Sequence, residues 1–287
     1  MMSKSKPNDR LIRLSLLMVA LTAITVLAVI TIFIFEQGLP VMAKYGLKNF
    51  LFGQDWYPSE KSFGLLPMIV GSLLVTFGAL LIGVPLGLAS AIFLTEFSSR
   101  RLSRLLKPLI ELLAGIPSVV YGFLGLMFLV PFIRENLGGP GLSVLAASII
   151  LGIMILPTII SISIDSIRAV PDSYREGSIA LGATKWQTVR MVVLPAARSG
   201  LVAGIILGMG RAIGETMAVI MVAGNAADLP ASWLAPVRTL TSNIALEMAY
   251  ASGEHRQALF ATGGVLFVII MILNFLANLA ARKQPGR

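Results

Sequence analysis

The longest stretch without a formal charge runs from Ser62 to Thr95, 34 residues. At about 1.5 Å per residue a helix of that length would measure about 50 Å, against a hydrocarbon core about 30 Å thick. Pro67 and Pro85 are therefore expected to punctuate it and leave a stub outside the membrane. Comparable runs recur. Leu14 to Phe35 holds 22 uncharged residues, and Leu112 to Ile133, Leu142 to Ile164 and Gln257 to Ala281 are also uncharged. Gly200 to Ala223 is interrupted only by Arg211 and Glu215. Six spans, each of the roughly 20 residues a crossing needs, put both termini on one side. Composition agrees. With 56% hydrophobic and 13% charged residues against about 25% charged in soluble proteins, the chain cannot clothe a globular surface in polar groups. An ordinary cytosolic enzyme and a disordered tail are both excluded. The expected fold is all-α and polytopic.

The 23 Lys and Arg choose the orientation. Sixteen cluster at the N-terminus, around Arg100 to Lys107, between Arg168 and Arg198, and in the C-terminal tail; six lie on the other face. The richer face is expected to be cytoplasmic, N-in and C-in. The first run is too long for a signal-peptide core and lacks a small-residue cleavage site, so it reads as a retained anchor. The divisions expected are a cytoplasmic N-terminus at 1–13, a first span at 14–35, a periplasmic segment at 36–66, a transport unit at 71–281 and a cytoplasmic tail at 282–287. The chain has no cysteine and one histidine. Disulfides and thiol chemistry are thereby excluded, and no metal site, cofactor or nucleophile–base pair is expected.

Residues 168–198 form the longest basic-side loop. Pro171 followed by Ser173-Tyr-Arg-Glu176 reads as a capping box that starts a helix. Tyr174, Ser178 and Leu181 fall on one side of it, and Gly182 suits its stop. Thr184-Lys-Trp-Gln187 reads as a second capping box, with Trp186, Val189 and Val193 together, and Leu194-Pro195 as its end. Two readings of this helix–turn–helix stand level: a pair lying on headgroups, or a plug for a cytoplasmic partner.

Inside the fifth run Gly200, Gly204 and Gly208 make one bare face for a neighbouring helix. Arg211 and Glu215 are four apart and are expected to share a helix face near mid-span. A charge there costs about 2.5–3.5 kcal/mol on insertion scales, so something should compensate it. Arg211 offers guanidinium donors to an oxyanion, and Glu215 is expected to hold Arg211 and temper its grip. Pro117 and Tyr121 suggest a path lining, with helix packing at least as good an account. Glu96, Glu111 and Asp165 sit at span edges, where carboxylates reach headgroup water. His255 reads as a solvated surface residue. The loop 224–256, with Trp233, Pro236 and a helix near Ser242 to Tyr250, faces an external solute-delivering protein or is an ordinary interfacial loop.

The segment Glu176-Gly177-Ser178, then Gly182, then Leu194-Pro195 resembles the EAA loop of ABC importer permeases, spanning 172–195 here. Gly177-Ser178 stand where that family carries two alanines; both are small. Gly210-Arg-Ala-Ile-Gly-Glu-Thr-Met217, Ala114 to Gly122, Trp56 to Ser72, and Leu240-Thr-x-x-Ile244 with Glu247 resemble phosphate-specific ABC importer permeases, C-type subunit. The resemblance implies the type I (MetI-like) permease fold and phosphate import through the inner membrane. It implies transport roles for Arg211 and Glu215, and ATPase docking by Glu176, Gly177, Ser178, Gly182, Leu194 and Pro195. The partners it implies are a second, related permease in a heterodimer, two ATP-binding subunits and an external phosphate-binding protein. The chain holds no G-x-x-x-x-G-K-[ST] phosphate-binding loop, so hydrolysis is expected on another polypeptide. Alternatives remain: another oxyanion such as sulfate or molybdate, a proton-coupled carrier or channel working without ATP in which Glu215 is the proton site, or a membrane scaffold or sensor without flux.

Overall fold

The computed structural model describes residues 7–282. Lys4, Lys6, Lys283 and Arg287, counted above for orientation, lie outside the described residues. Helix α1 spans Pro7–Tyr45 and α2 Leu47–Phe52. A small antiparallel hairpin follows, β1 Trp56–Tyr57 against β2 Ser62–Phe63, with Trp56 opposite Phe63. The remaining helices are α3 Leu66–Phe97, α4 Arg100–Ala114, α5 Ser118–Asn136, α6 Val144–Arg168, α7 Asp172–Ala180, α8 Lys185–Ile213, α9 Met217–Val222, α10 Leu240–Glu247 and α11 Gly253–Arg282. Among the described residues six helices are long and apolar enough to cross a membrane: α1, α3, α5, α6, α8 and α11. The protein is all-α apart from its hairpin, and multi-pass.

Several local expectations change. Residues 62–63 are strand, and α3 starts at Leu66 with Pro67 in its first turn, where a missing N–H costs nothing. Pro85 lies inside α3 without breaking it. The third uncharged run is not one helix: Leu112 to Ala114 end α4, the chain breaks over Gly115 to Pro117, and α5 begins at Ser118. Leu194-Pro195 does not end a helix. The five residues before it, Val189–Val193, form a π turn, and Lys185–Ile213 is a single helix. The π turn lets the backbone pass a residue that has no N–H to give.

Helix α6 is the central post. Its buried face, with Leu151, Met154, Ile155 and Ile159, fills the core between α3, α5 and α9. Glycines let the neighbours close on it. A Cβ on Gly78 would lie 2.3 Å from Ser148 Oγ, one on Gly83 2.7 Å from Ile155, and one on Gly87 2.8 Å from Ile159. On the other side Gly200, Gly204 and Gly208 of α8 face Ser166, Ile162 and Ile159, as their four-residue spacing predicted. Helix α1 leans on α11, where Phe33 meets Phe260 and Phe35 meets Phe267 edge-on. From Leu11 to Ile30 every residue of α1 is exposed.

The end opposite the basic loops is closed by a second core. Phe50, Trp56, Phe63, Leu65 and Met68 pack with Leu240, Leu259 and Ala261. The segment after α9 folds back between α3 and α6. Leu145 and Val144 donate to the carbonyls of Trp233 and Ala235 at 2.8 and 3.0 Å, and Ser143 caps Ala146. Those bonds satisfy the first amides of α6, which otherwise have no partner.

Candidate functional site: a charged helix break and a clamped loop

The span that carries Arg211 stops at Ile213 and resumes at Met217, leaving Gly214 to Thr216 outside helical structure. Arg211 and Glu215 therefore do not share a helix face, and no ion pair joins them among the described residues. The helix ends at Gly214, whose amide still donates to the Gly210 carbonyl at 3.3 Å. Glu215 instead accepts a hydrogen bond from the Ala218 amide, 3.2 Å, and so caps α9. The Glu215 carbonyl accepts from the Thr241 hydroxyl at 2.8 Å, tying the break to α10.

This settles what offsets the two charges. Arg211 stands in the last turn of α8, at the negative end of its dipole. Glu215 stands before the first turn of α9, at a positive end. Each charge is balanced by a helix terminus rather than by the other. The expectation that Glu215 holds Arg211 is corrected accordingly. Among the described residues the Arg211 side chain makes no hydrogen bond and no ion pair; its guanidinium is half-buried and within electrostatic reach of Tyr121. The depth follows from packing. Gly208 touches Ile155 and Ile159, halfway along the 25-residue α6, which sets Arg211 about one turn from the midplane.

A second break lies beside the first. Tyr121 is 8% exposed and donates to the Leu113 carbonyl at 2.8 Å, bridging the gap between α4 and α5. Gly122 abuts Ala218, where a Cβ would sit 2.9 Å from the Ala218 Cα. Two interrupted helices thus meet at mid-depth with one unpartnered cation between them. Irregular backbone at that depth is tolerated where it is buried in protein or lines a cavity.

The basic-side loop is built as a projecting unit. Helix α7 buries none of its residues. Tyr174, Ile179 and Leu181 are exposed, Leu181 at 91%. Glu176 and Gly177 are exposed, while Ser178 shares a 3.0 Å hydrogen bond with Thr188. Gly182 has φ +86°, and Gly182 and Ala183 donate to the carbonyls of Ile179 and Ser178, a Schellman stop. Thr184 and Gln187 form the anticipated capping box. Ser173 does not cap. The helix starts at Asp172 behind Pro171, so Ser173 is already inside it. Leu194 is half-buried and Pro195 exposed, both within α8 rather than at a helix end.

What holds this unit to the bundle was not legible in the sequence. Arg175 donates to Glu96 at 2.8 and 3.2 Å, to Ile167 and Val170 carbonyls at 3.0 and 2.8 Å, and to Asp172 at 3.3 Å. One guanidinium joins the end of α3, the end of α6 and α7. Glu96, at 10% side-chain exposure, does not reach headgroup water as expected of it. Phe97 packs on Trp186, and Lys185 lies 5.1 Å from the Phe97 ring centre. Asp165 pairs with Lys107 at 3.0 Å, and Glu111 stays exposed.

The opposite end carries a buried polar cluster. Glu247, 6% exposed, accepts from Trp56 Nε1 at 2.9 Å and from Arg238 at 2.7 Å. His255 Nε2 lies 2.8 Å from the same carboxylate. His255 is half-buried and bonded, not a solvated surface residue. The helix expected near Ser242 to Tyr250 is α10, starting at Leu240.

Comparison with known proteins bears on this architecture. Residues 83–284 match the family model described as "Binding-protein-dependent transport system inner membrane component". A probable ABC transporter permease, YqgH of Bacillus subtilis, is 46% identical over 90% of this chain and 87% of its own length. The phosphate transport system permease PstC of Mesorhizobium japonicum is 36% identical over 93% and 88%. An inward-facing MetNI methionine ABC transporter structure superposes with a TM-score of 0.60 at 21% identity, over 76% of this chain and 94% of its own. The fold is that of the MetI-like permeases.

Proposed function

The chain belongs to the family of inner membrane components of binding-protein-dependent transport systems, and we propose that it is the membrane-spanning permease subunit of an ATP-driven phosphate importer. The observation that carries the reading is Arg211: a guanidinium at mid-depth, between two broken helices, with its donors unspent. Inorganic phosphate is an oxyanion that such a fork can accept in two-point geometry. A transport path must also let its solute go. An arginine offset by a helix end rather than by a carboxylate meets both needs, since the anion displaces no ion pair on arrival. The phosphate permeases among the relatives support the choice of solute.

Residues 172–195 are the docking loop for an ATP-binding subunit. Its exposed Glu176, Gly177, Tyr174 and Leu181 supply a surface that the chain itself does not cover, and Ser178, Gly182, Leu194 and Pro195 shape it. Nucleotide hydrolysis belongs to that subunit, present twice. A second, related permease completes the path, and an external binding protein delivers the solute to the end closed by Trp56 and Glu247. The basic end is cytoplasmic, N-in and C-in. Residues 71–281 are the transport unit and α1 is an added helix.

The test is radiolabelled phosphate uptake by the reconstituted complex, comparing wild type with Arg211→Gln and adding sulfate as competitor. Loss of uptake with assembly intact, and weak competition by sulfate, is the expected result. Unchanged uptake would remove Arg211 from the path.

A further inference from the structure

A cavity of about 600 Å³ opens at the basic end between the tails of α3 and α6 and the flank of α4. Arg100, Arg104, Lys107 and Arg168 line it against a single carboxylate, Glu111. Lys107 is engaged by Asp165, and Arg168 donates to Ser103 at 3.0 Å. Arg100 and Arg104 have no hydrogen-bond or ion-pair partner among the described residues. The cavity is therefore an electropositive recess with two arginines to spare.

Helix α4 says where that recess sits. It has three stripes. Ser103, Leu106 and Ile110 turn inward, Ser103 buried and the other two packed on the local core. Arg100, Arg104, Lys107 and Glu111 form the stripe along the cavity. Leu102, Leu105, Leu109 and Leu112 form a third, exposed at 39, 64, 49 and 69%. The contacts of α4 run up the tail of α6, Ser103 at Arg168 and Lys107 at Asp165, so its arginines stand at headgroup depth and its exposed leucines reach the acyl region. Arg100 opens the helix, so its first amides add a positive dipole end to the same recess.

We propose that this cavity binds the phosphate headgroup of an anionic phospholipid, with Arg100 and Arg104 as its ligands and the leucine stripe of α4 seated against the acyl chains. A free phosphate ion would satisfy the arginines but leave the leucines uncovered, and a zwitterionic lipid would cover the leucines but bring a fixed cation to a recess that is already basic; a phospholipid of net negative charge suits both. The site does not depend on which solute the protein moves, nor on Arg211.

The experiment uses the full chain in nanodiscs of phosphatidylglycerol and phosphatidylcholine, then extracted into detergent, with retained lipid identified by native mass spectrometry. Wild type is expected to retain phosphatidylglycerol in preference to phosphatidylcholine. Each arginine is worth about fivefold in lipid affinity, so R100Q/R104Q should weaken retention about twenty-fivefold. R100K/R104K keeps the charge and should restore most of it, and this rescue separates lost binding from a misfolded helix. Retention of phosphatidylglycerol unchanged in R100Q/R104Q would overturn the proposal. So would displacement of the lipid by millimolar inorganic phosphate, which would make the recess a free-anion site. Co-purifying subunits lost from R100Q/R104Q while lipid stays would make it a protein interface and equally overturn it.

Discussion

Glu96→Gln is the most informative single change outside the charged break, because it removes one charge and almost no volume. The carboxylate faces Arg175 with both side chains largely buried, at 10% and 19% exposure. Removing one partner of a buried ion pair typically costs about 3–5 kcal/mol, because the other charge is stranded. Arg175 is not fully stranded here. It keeps the Ile167 and Val170 carbonyls and the exposed Asp172, and the glutamine still offers one carbonyl acceptor. A cost of about 2 kcal/mol is the expectation, below the full range by the acceptors that remain. That cost falls on the attachment of α7, which buries no side chain of its own and has little else to hold it. Hydrogen exchange reads it directly. At about 1.4 kcal/mol per tenfold, amides of residues 172–180 should exchange about thirtyfold faster, with α6 amides near mid-membrane unchanged. Glu111→Gln is the control. Its pair with Lys107 is 3.9 Å long with the carboxylate 55% exposed, worth about 1 kcal/mol or less. If Glu96→Gln accelerates α7 exchange less than about threefold, the clamp is not what fixes the loop, and the exposed ring contact of Phe97 with Trp186 takes its place.

Three further outcomes follow from the geometry. Gly182→Val should weaken co-purification with an ATP-binding subunit through backbone strain of about 1–2 kcal/mol, since φ is +86° and a Cβ there meets nothing within 4 Å; retained co-purification would show that the turn is not part of the contact. Glu215→Ala should lower thermal stability by about 1 kcal/mol through loss of the α9 cap, while Glu215→Gln, which keeps an acceptor, should stay near wild type; equal damage from both would mean that the charge, not the cap, matters. Gly71→Ala should cost about 1–3 kcal/mol by overpacking, because its Cβ would fall 2.4 Å from Val237 and 2.6 Å from the Arg238 carbonyl; an unaltered unfolding temperature would show that the 224–239 segment yields freely.

What could be read from the sequence was whatever the signal places within a turn or two. The capping box at Thr184, the glycine stop at 182 and the glycine face of α8 are such cases. The differences share a cause: charge marks where spans begin and says nothing about where a helix breaks. Leu112 therefore reads as the start of the third span, although Leu112 to Ala114 end α4, whose leucine and arginine stripes follow a 3.6-residue spacing. Leu194-Pro195 reads as a stop because a proline removes one i→i−4 bond; the π turn just before it makes that bond unnecessary. The Arg175 clamp and the Glu247 cluster are different in kind. Trp56 and Glu247 are 191 positions apart and Arg175 and Glu96 79, and no periodicity in one chain pairs residues at those separations.

The break between Arg211 and Glu215 bears on transport as well as on geometry. With Arg211 and Glu215 on one helix face, an incoming anion would have to compete with a carboxylate at contact distance. In the structure Glu215 is occupied at the Ala218 amide and Arg211 is offset only by the partial charge of a helix end, roughly half an elementary charge and falling off within a turn. That leaves the guanidinium attractive to an oxyanion and unsatisfied without one. The Thr241 hydroxyl bound to the Glu215 carbonyl ties the break between α8 and α9 to α10, and through Glu247, 6% exposed, to Arg238, Trp56 and His255 at the far end. At the basic end α8 begins in the loop that Arg175 and Phe97 fasten to α3. One continuous helix from Lys185 to Ile213, about 43 Å at 1.5 Å per residue, therefore runs from the loop to the charged break. A displacement of the loop along that axis arrives at Arg211 with no flexible joint between except the π turn at Val189–Val193.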